Sequence, residues 1–288
     1  MPDTDRHHPY LPDHCRQNLL LERMTTTATT RYLDSHCHLQ KQHLGPVIDD
    51  ILERARSTGV ARMFCNATRE EDWQAVVDLA ARKYELIPFL GIHPWFAETA
   101  MTGWEERLQV LLKQIPAGIG ETGLDKCCRA DFGRQQQIFL LQLQMASELR
   151  RPLVIHCVRA WGRLLEILEH FAGPLPRVMI HTFAGSHETL QRLLKLGCFI
   201  SFSGKLVTNS RVHPCCLATP LANLLLETDS PGRPLARDAI NGPGTTDEPA
   251  AIVKLYELAA TMREMDLDKF CQEIWKNGAI FANTILPR

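Results

Sequence analysis

The sequence predicts an α/β fold, a single-domain (β/α)8 TIM barrel spanning residues 31–288. Three observations carry this expectation. Eight short β-prone runs alternate with helical stretches from Arg31 onward, the succession that builds a parallel sheet wrapped by helices. The runs are apolar almost throughout, as for strands covered on both faces. Imidazoles and carboxylates gather at their C-terminal ends. The rival is an open doubly wound sheet, which needs fewer strands and usually a Gly-rich phosphate loop; no GxGxxG or Walker A string is present.

The runs cover residues 32–34, 62–66, 86–92, 118–121, 153–156, 178–181, 199–203 and 224–229. Between them, residues 134–150 place Ile138, Leu141, Met145 and Leu149 on one predicted helix face. Residues 163–171 do the same with Leu164, Leu168 and Phe171, and Leu190, Leu193 and Leu194 precede Gly197, a helix stop. Two more helical stretches, 251–262 and 267–282, close the chain.

A chain of 288 residues, 45% hydrophobic and 23% charged, has the composition of an ordinary globular protein rather than a disordered, collagenous or coiled-coil one. No window approaches 18 consecutive apolar residues, so no membrane span is expected. The net charge of −1 excludes a bulk-basic nucleic-acid coat. It leaves room for a local phosphate pocket, because metal ions supply positive charge there.

The ten cysteines lack any CxxC pair, and several sit in apolar runs; reduced, buried thiols are expected. The adjacent pairs Cys127-Cys128 and Cys215-Cys216 are uninformative. Residues 1–30 are polar and without periodicity, and are read as a poorly ordered extension. They contain no apolar signal-like stretch, so a cytoplasmic location is expected, with the nucleus an alternative. Nothing in the sequence implies a protein partner, and a monomer is expected.

Six strand ends carry residues able to hold a metal: Asp34-Ser35-His36-Cys37-His38, Gly91-Ile92-His93-Pro94-Trp95, Gly120-Glu121, Ile155-His156, Ile180-His181, and Leu226-Glu227-Thr228-Asp229. Alternate residues on a strand point to the same side, so His36 and His38 face one ion while Cys37 points away into the core. In a barrel all these ends converge on one mouth. Imidazole plus carboxylate suits Zn2+, Mn2+ or Co2+, and Mg2+ less well. The inventory permits two divalent ions: one held by His36, His38 and Asp229, the other by His156 and His181, with Glu121 bridging. Such a site supports hydrolysis by a metal-activated water, with Asp229 as general base.

The strings DSHCHL, GIHPWFA, GETGLDK, PLVIHCVRAWG, IHTFAGS, FISFSG and LLLETDSP, in this order from Tyr32 to Asn283, resemble those of the TatD family of metal-dependent deoxyribonucleases in the amidohydrolase superfamily. The resemblance implies a TIM barrel, a divalent-metal-dependent exonuclease acting on DNA, and ligands at His36, His38, Glu121, His156, His181 and Asp229. Glu121 at the fourth strand end, with Lys126 five residues later, separates the chain from relatives bridged by a carbamylated lysine. Thr122 and Thr182 depart from the family's usual residues. Substrate choice is expected to lie in residues 125–129 and in the loop 231–248.

Around this set, His93 is expected to contact the phosphate being cut or to protonate the leaving oxygen. Arg159 and Lys205 are candidate phosphate contacts, and Trp95 with Phe96 a stacking surface for unpaired bases of single-stranded DNA or frayed ends. Asp34 is expected to orient a ligand histidine, and Asp125 to be a loop or cap residue. Two other readings stay open. The same ions serve ester or amide hydrolysis, for instance of an aminoacyl-tRNA or a small cyclic amide. A barrel with purely structural ions would bind a partner instead.

Overall fold

The computed structural model describes residues 30–231 and 248–286. The expectations for residues 1–29 and for the loop residues 232–247 lie outside these. Eight parallel strands form one sheet in chain order: β1 (Tyr32–Cys37), β2 (Val60–Asn66), β3 (Leu86–Leu90), β4 (Gly118–Asp125), β5 (Leu153–Val158), β6 (Val178–Ile180), β7 (Phe199–Phe202) and β8 (Leu224–Leu226). Helices cover the outside: α1 (Ile48–Ser57), α2 (Glu70–Arg82), α3 (Trp104–Gln114), α4 (Phe132–Glu148), α5 (Trp161–Glu169), α6 (His187–Lys195), the short α7 (Lys205–Thr208) and α8 (His213–Ala218), α9 (Ile252–Met262) and α10 (Leu267–Phe281). This is the (β/α)8 TIM barrel.

The seam between β8 and β1 is closed by few bonds. Asp229 N donates to His36 O at 2.9 Å and His38 N to Ser230 O at 2.6 Å. Buried Asp34 works beside them: its Oδ1 accepts Thr228 N at 2.9 Å and His36 N at 3.2 Å, and its Oδ2 accepts the Thr228 hydroxyl. Asp34 therefore clasps backbone across the seam and, among the described residues, hydrogen-bonds no histidine ring, so its hold on a ligand histidine runs through the His36 main chain. Burial pushes its carboxyl up to about 8, and the Thr228 hydrogen bonds offset this only in part.

The core lies on both sides of the strands. Inside, Phe281 of α10 meets Phe64 of β2, Phe89 of β3 and Phe199 of β7 at centroid distances of 5.8, 5.9 and 5.7 Å. Strands β3 and β7 lie on opposite sides of the barrel, so a ring touching both sits on its axis. The nine described cysteines are free, and seven of them are buried. Cys37 is fully buried and its thiol donates to Phe64 O, on the side away from His36 and His38.

Besides shifts in strand ends, with β1 reaching Cys37, β3 stopping at Leu90 and β8 at Leu226, two departures from the sequence pattern bear on the site. Leu141 of α4 is 39% exposed, whereas Phe139, Gln142 and Ala146 are buried beside Ile138 and Met145. The buried face is thus rotated onto a polar residue. Gln142 has its own reason to be inside: Oε1 accepts Ile92 N at 2.8 Å, and Nε2 donates to Ile92 O at 3.1 Å and to the Thr122 hydroxyl. It pins the segment that leads into His93. The second departure is β4, which runs four residues beyond Glu121. Gly123 makes that possible: at φ +138°, a Cβ there would stand 2.0 Å from His156 O on β5.

Candidate metal centre

The strand ends bring the six expected residues to one place. Around one position stand His36 Nε2, His38 Nε2, Glu121 Oε2 and Asp229 Oδ1. The two nitrogens are 3.1 Å apart, Glu121 Oε2 lies 3.2 and 3.3 Å from them, and Asp229 Oδ1 3.7 and 3.5 Å. The other oxygen, Glu121 Oε1, lies 2.9 Å from His156 Nδ1 and 3.0 Å from His181 Nε2, which are 3.2 Å from each other. Four atoms about 2.1 Å from a tetrahedral ion stand roughly 3.4 Å apart. The measured edges bracket that spacing.

The imidazole tautomers support the same reading. His38 Nδ1 donates to the carbonyl of Asn66 at 2.7 Å, a bond only a protonated nitrogen can make. His181 Nδ1 faces Glu227 Oε1 at 3.2 Å, and His156 Nε2 faces Asp125 Oδ2 at 3.3 Å. In each case the outer nitrogen has an acceptor for its own proton, which turns the inner nitrogen into the cluster as the atom that would ligate. Ligating histidines are held in this way. His36 Nδ1 is buried without a hydrogen-bond partner among the described residues.

His93 has the opposite polarity. Its Nδ1 accepts the backbone N–H of Trp95 at 3.1 Å, so the proton resides on Nε2, which faces Glu121 Oε1 at 3.2 Å. His93 is therefore built to donate a hydrogen bond rather than to ligate. Burial, with the charge of His156, holds it down to about 4 despite Glu121, so it is neutral at physiological pH.

The carboxylates are ionised. Burial opposes a charge on Glu121, yet His181, His93 and His36 hold its carboxyl well below the usual range. Burial likewise opposes ionisation of Asp229, but the hydrogen bond from His38 and the charges of neighbouring histidines bring it down to about 2. In return, hydrogen bonds to Asp229 and Glu121 outweigh burial and lift His38 to about 10. His181 is raised well above its ordinary value against burial, chiefly by Glu121 and Glu227. Without cations, protons carry the positive charge this cluster requires.

The residues thus fit divalent cations by spacing, tautomer and charge. Cation binding must displace the proton on His38. Loading at neutral pH is therefore expected to release protons and to weaken as pH falls, because the protonated form then competes better. Calorimetric titration with Zn2+ or Mn2+ in buffers of different ionisation enthalpy checks both. Proton uptake, or an affinity independent of pH, would contradict this account.

Comparison with known proteins identifies the lineage. A family model described as TatD related DNase matches residues 33–281. The chain belongs to the TatD family. The uncharacterized metal-dependent hydrolase YjjV of Escherichia coli is 31% identical over 255 residues, 86% of this chain and 96% of that protein. The 3′-5′ ssDNA/RNA exonuclease TatD of Citrobacter koseri is 30% identical over 226 residues, 76% of this chain and 86% of its own. The crystal structure of the Escherichia coli TatD homologue YjjV superposes with a TM-score of 0.80 at 30% identity, covering 88% of this chain and 98% of that one. The chain is thus a TatD-family, metal-dependent hydrolase on a TIM barrel.

Other TatD-site expectations divide. Trp95 stands beside the cluster, 54% exposed, with its ring edge-on to His93 at 4.9 Å. Phe96 is half-buried under the Arg69 guanidinium. Arg159 and Lys205 are exposed beyond β5 and at the start of α7, and neither hydrogen-bonds a cluster member among the described residues. Backbone strain concentrates here: Arg159, Thr182 and Asp229 have φ of 51°, 44° and 60°. Both departures from the family strings form bonds behind the site, Thr122 to Gln142 and Thr182, through its amide and hydroxyl, to Glu227 Oε1.

The sequence reading gave neither of two carboxylates a place behind a ligand histidine. Asp125 is buried against His156 and is no loop residue, because β4 continues to it. Glu227 is fully buried behind His181. For Asp125 the missed signal was the two-residue period: Glu121, Gly123 and Asp125 share one face of β4.

Proposed function

We propose that the chain hydrolyses phosphodiester bonds at single-stranded or frayed ends of DNA, with two divalent cations as cofactors. The observation that carries this reading is the division of Glu121, whose two oxygens face two separate histidine groups. His36, His38 and Asp229 would hold one cation, His156 and His181 the other, and Glu121 would span them. Two such ions polarise a phosphate and make water a stronger nucleophile. The name of the exonuclease relative adds support for nucleic acid as substrate.

The chain's own groups divide the remaining work. Asp229 is the most exposed of the six, its side chain 35% open against at most 12% for the others. Water enters on its side, and its ionised carboxylate receives the proton of the attacking water. His93 offers Nε2–H to a phosphate oxygen as a neutral donor. At about 4 it is a poor proton source, so contact with the phosphate is favoured over protonation of the leaving oxygen.

Replacing His93 with Ala is expected to lower kcat by about 10²–10³-fold, the cost of removing one aligned donor. Metal affinity should stay within about twofold, because His93 is not placed as a ligand. A parallel loss of metal in calorimetric titration would make it a ligand instead.

The reading itself is tested with 3′- and 5′-labelled single-stranded DNA, RNA, mischarged tRNA and a dihydropyrimidine, each with Mg2+, Mn2+ and Zn2+. Metal-dependent shortening of DNA from one end is expected. Turnover confined to the tRNA ester or the cyclic amide would overturn the nuclease reading and keep the metal centre.

A further inference from the structure

Trp95, 54% exposed, is the most open of the five tryptophans, while Trp73 and Trp104 are buried and Trp161 and Trp275 half-buried. An exposed indole forfeits burial, so something must hold it there. Its backbone N–H binds His93 Nδ1, its ring stands edge-on to His93, and its indole Nε1–H donates to Asp125 Oδ2 at 2.6 Å. The polar edge is anchored and the face is left open. The anchoring oxygen is the one that faces His156 Nε2 at 3.3 Å.

Asp125 is itself held firmly. Its backbone N–H and carbonyl are both bound by Gln135 of α4, at 2.8 and 3.1 Å, and its Oδ1 accepts Cys127 N at 2.7 Å. It reaches the site because Gly123 lets β4 press against β5.

We propose that Asp125 is a positioning residue serving two side chains through one oxygen: it sets the His156 imidazole toward the metal centre and the Trp95 plate toward substrate. The plate receives an unpaired base next to the phosphate being cut. This rests on the nucleic-acid reading of the site. It makes that reading more specific, because a flat face accepts any unpaired base and is closed to one that stays paired in a duplex.

The test uses the full chain loaded with Mn2+ and compares Trp95→Ala, Trp95→Phe, Asp125→Ala and Asp125→Asn. Two substrates are measured, a short single-stranded oligonucleotide and a methyl aryl phosphodiester without a base. Trp95→Ala should raise KM for the oligonucleotide about tenfold, the effect of one lost base stack. The base-free substrate should lose clearly less than the oligonucleotide, since it has no base to stack, and the Mn2+ affinity should fall less than in Asp125→Ala. Trp95→Phe should restore most of the oligonucleotide KM, since a ring remains.

Asp125→Ala should show both defects: the raised oligonucleotide KM and a Mn2+ affinity reduced about 10–100-fold by calorimetry. Asp125→Asn keeps the volume and one acceptor oxygen, and should fall between Asp125→Ala and the wild type on both readouts. Tryptophan emission gives a readout without turnover: Mn2+ should shift it in the wild type and not in Trp95→Phe.

Equal losses on the two substrates in Trp95→Ala would overturn the stacking role. Unchanged Mn2+ affinity in both Asp125 variants would overturn the coupling. A wild-type protein that cleaves the base-free diester and no oligonucleotide defeats the nucleic-acid reading and the stacking role together. The calorimetric and emission results still decide the coupling in that case.

Discussion

Glu121→Gln is expected to reduce phosphodiester hydrolysis by at least about a thousandfold, equivalent to several kcal/mol of lost transition-state stabilisation. The two carboxylate oxygens face different partners, Oε2 toward His36 and His38 and Oε1 toward His156, His181 and His93. An amide supplies one acceptor and turns the other side into a donor facing nitrogen lone pairs. It also removes the negative charge that keeps neighbouring imidazoles and any cations compatible in a buried space. Bound metal, counted by elemental analysis, should fall from two ions per chain to one or none. The fold should persist, because the main-chain bond from Glu121 N to Ala67 O at 2.8 Å is untouched. Full turnover with two ions retained would refute the bridging role.

The second large effect concerns stability. Asp34→Ala is expected to cost about 3 kcal/mol and to lower Tm by roughly 10 °C, since it leaves buried N–H groups at the barrel seam without acceptors. Those groups are Thr228 N and His36 N, and the Thr228 hydroxyl loses its partner as well. Asp34→Asn keeps an acceptor for both amides and should lose less than about 1 kcal/mol. Burial raises the Asp34 carboxyl from 3.8 to about 8, so the folded chain holds this proton more tightly than the unfolded one. Its contribution is complete below about pH 4 and is lost as pH rises through about 8. The Asn variant should therefore show a flatter stability profile across that window. Urea melts from pH 5 to 9 check both, and an Ala variant as stable as the wild type would remove Asp34 from the seam.

Much of this was legible in the chain itself. Eight apolar runs and the amphipathic stretches between them are local patterns, set by neighbours a few residues apart, and they specify a barrel. His36 and His38 could be paired because a two-residue spacing on one strand is a statement about direction. The position of Glu121, His156, His181 and Asp229 at strand ends was readable for the same reason, once the barrel brought those ends to one mouth.

Tertiary structure decided the rest. Which nitrogen of His38, His156 and His181 faces inward depends on Asn66, Asp125 and Glu227, which come from other strands or from beyond a strand end. Gln142 is buried because a loop 50 residues away needs its amide, and no apolar periodicity encodes that. Asp125 belongs to the site because Gly123 lets two strands approach and β4 run on. Periodicity fixes the face a side chain occupies on its own element; the partner it meets there comes from distant sequence, and only the packed barrel brings the two within hydrogen-bonding distance.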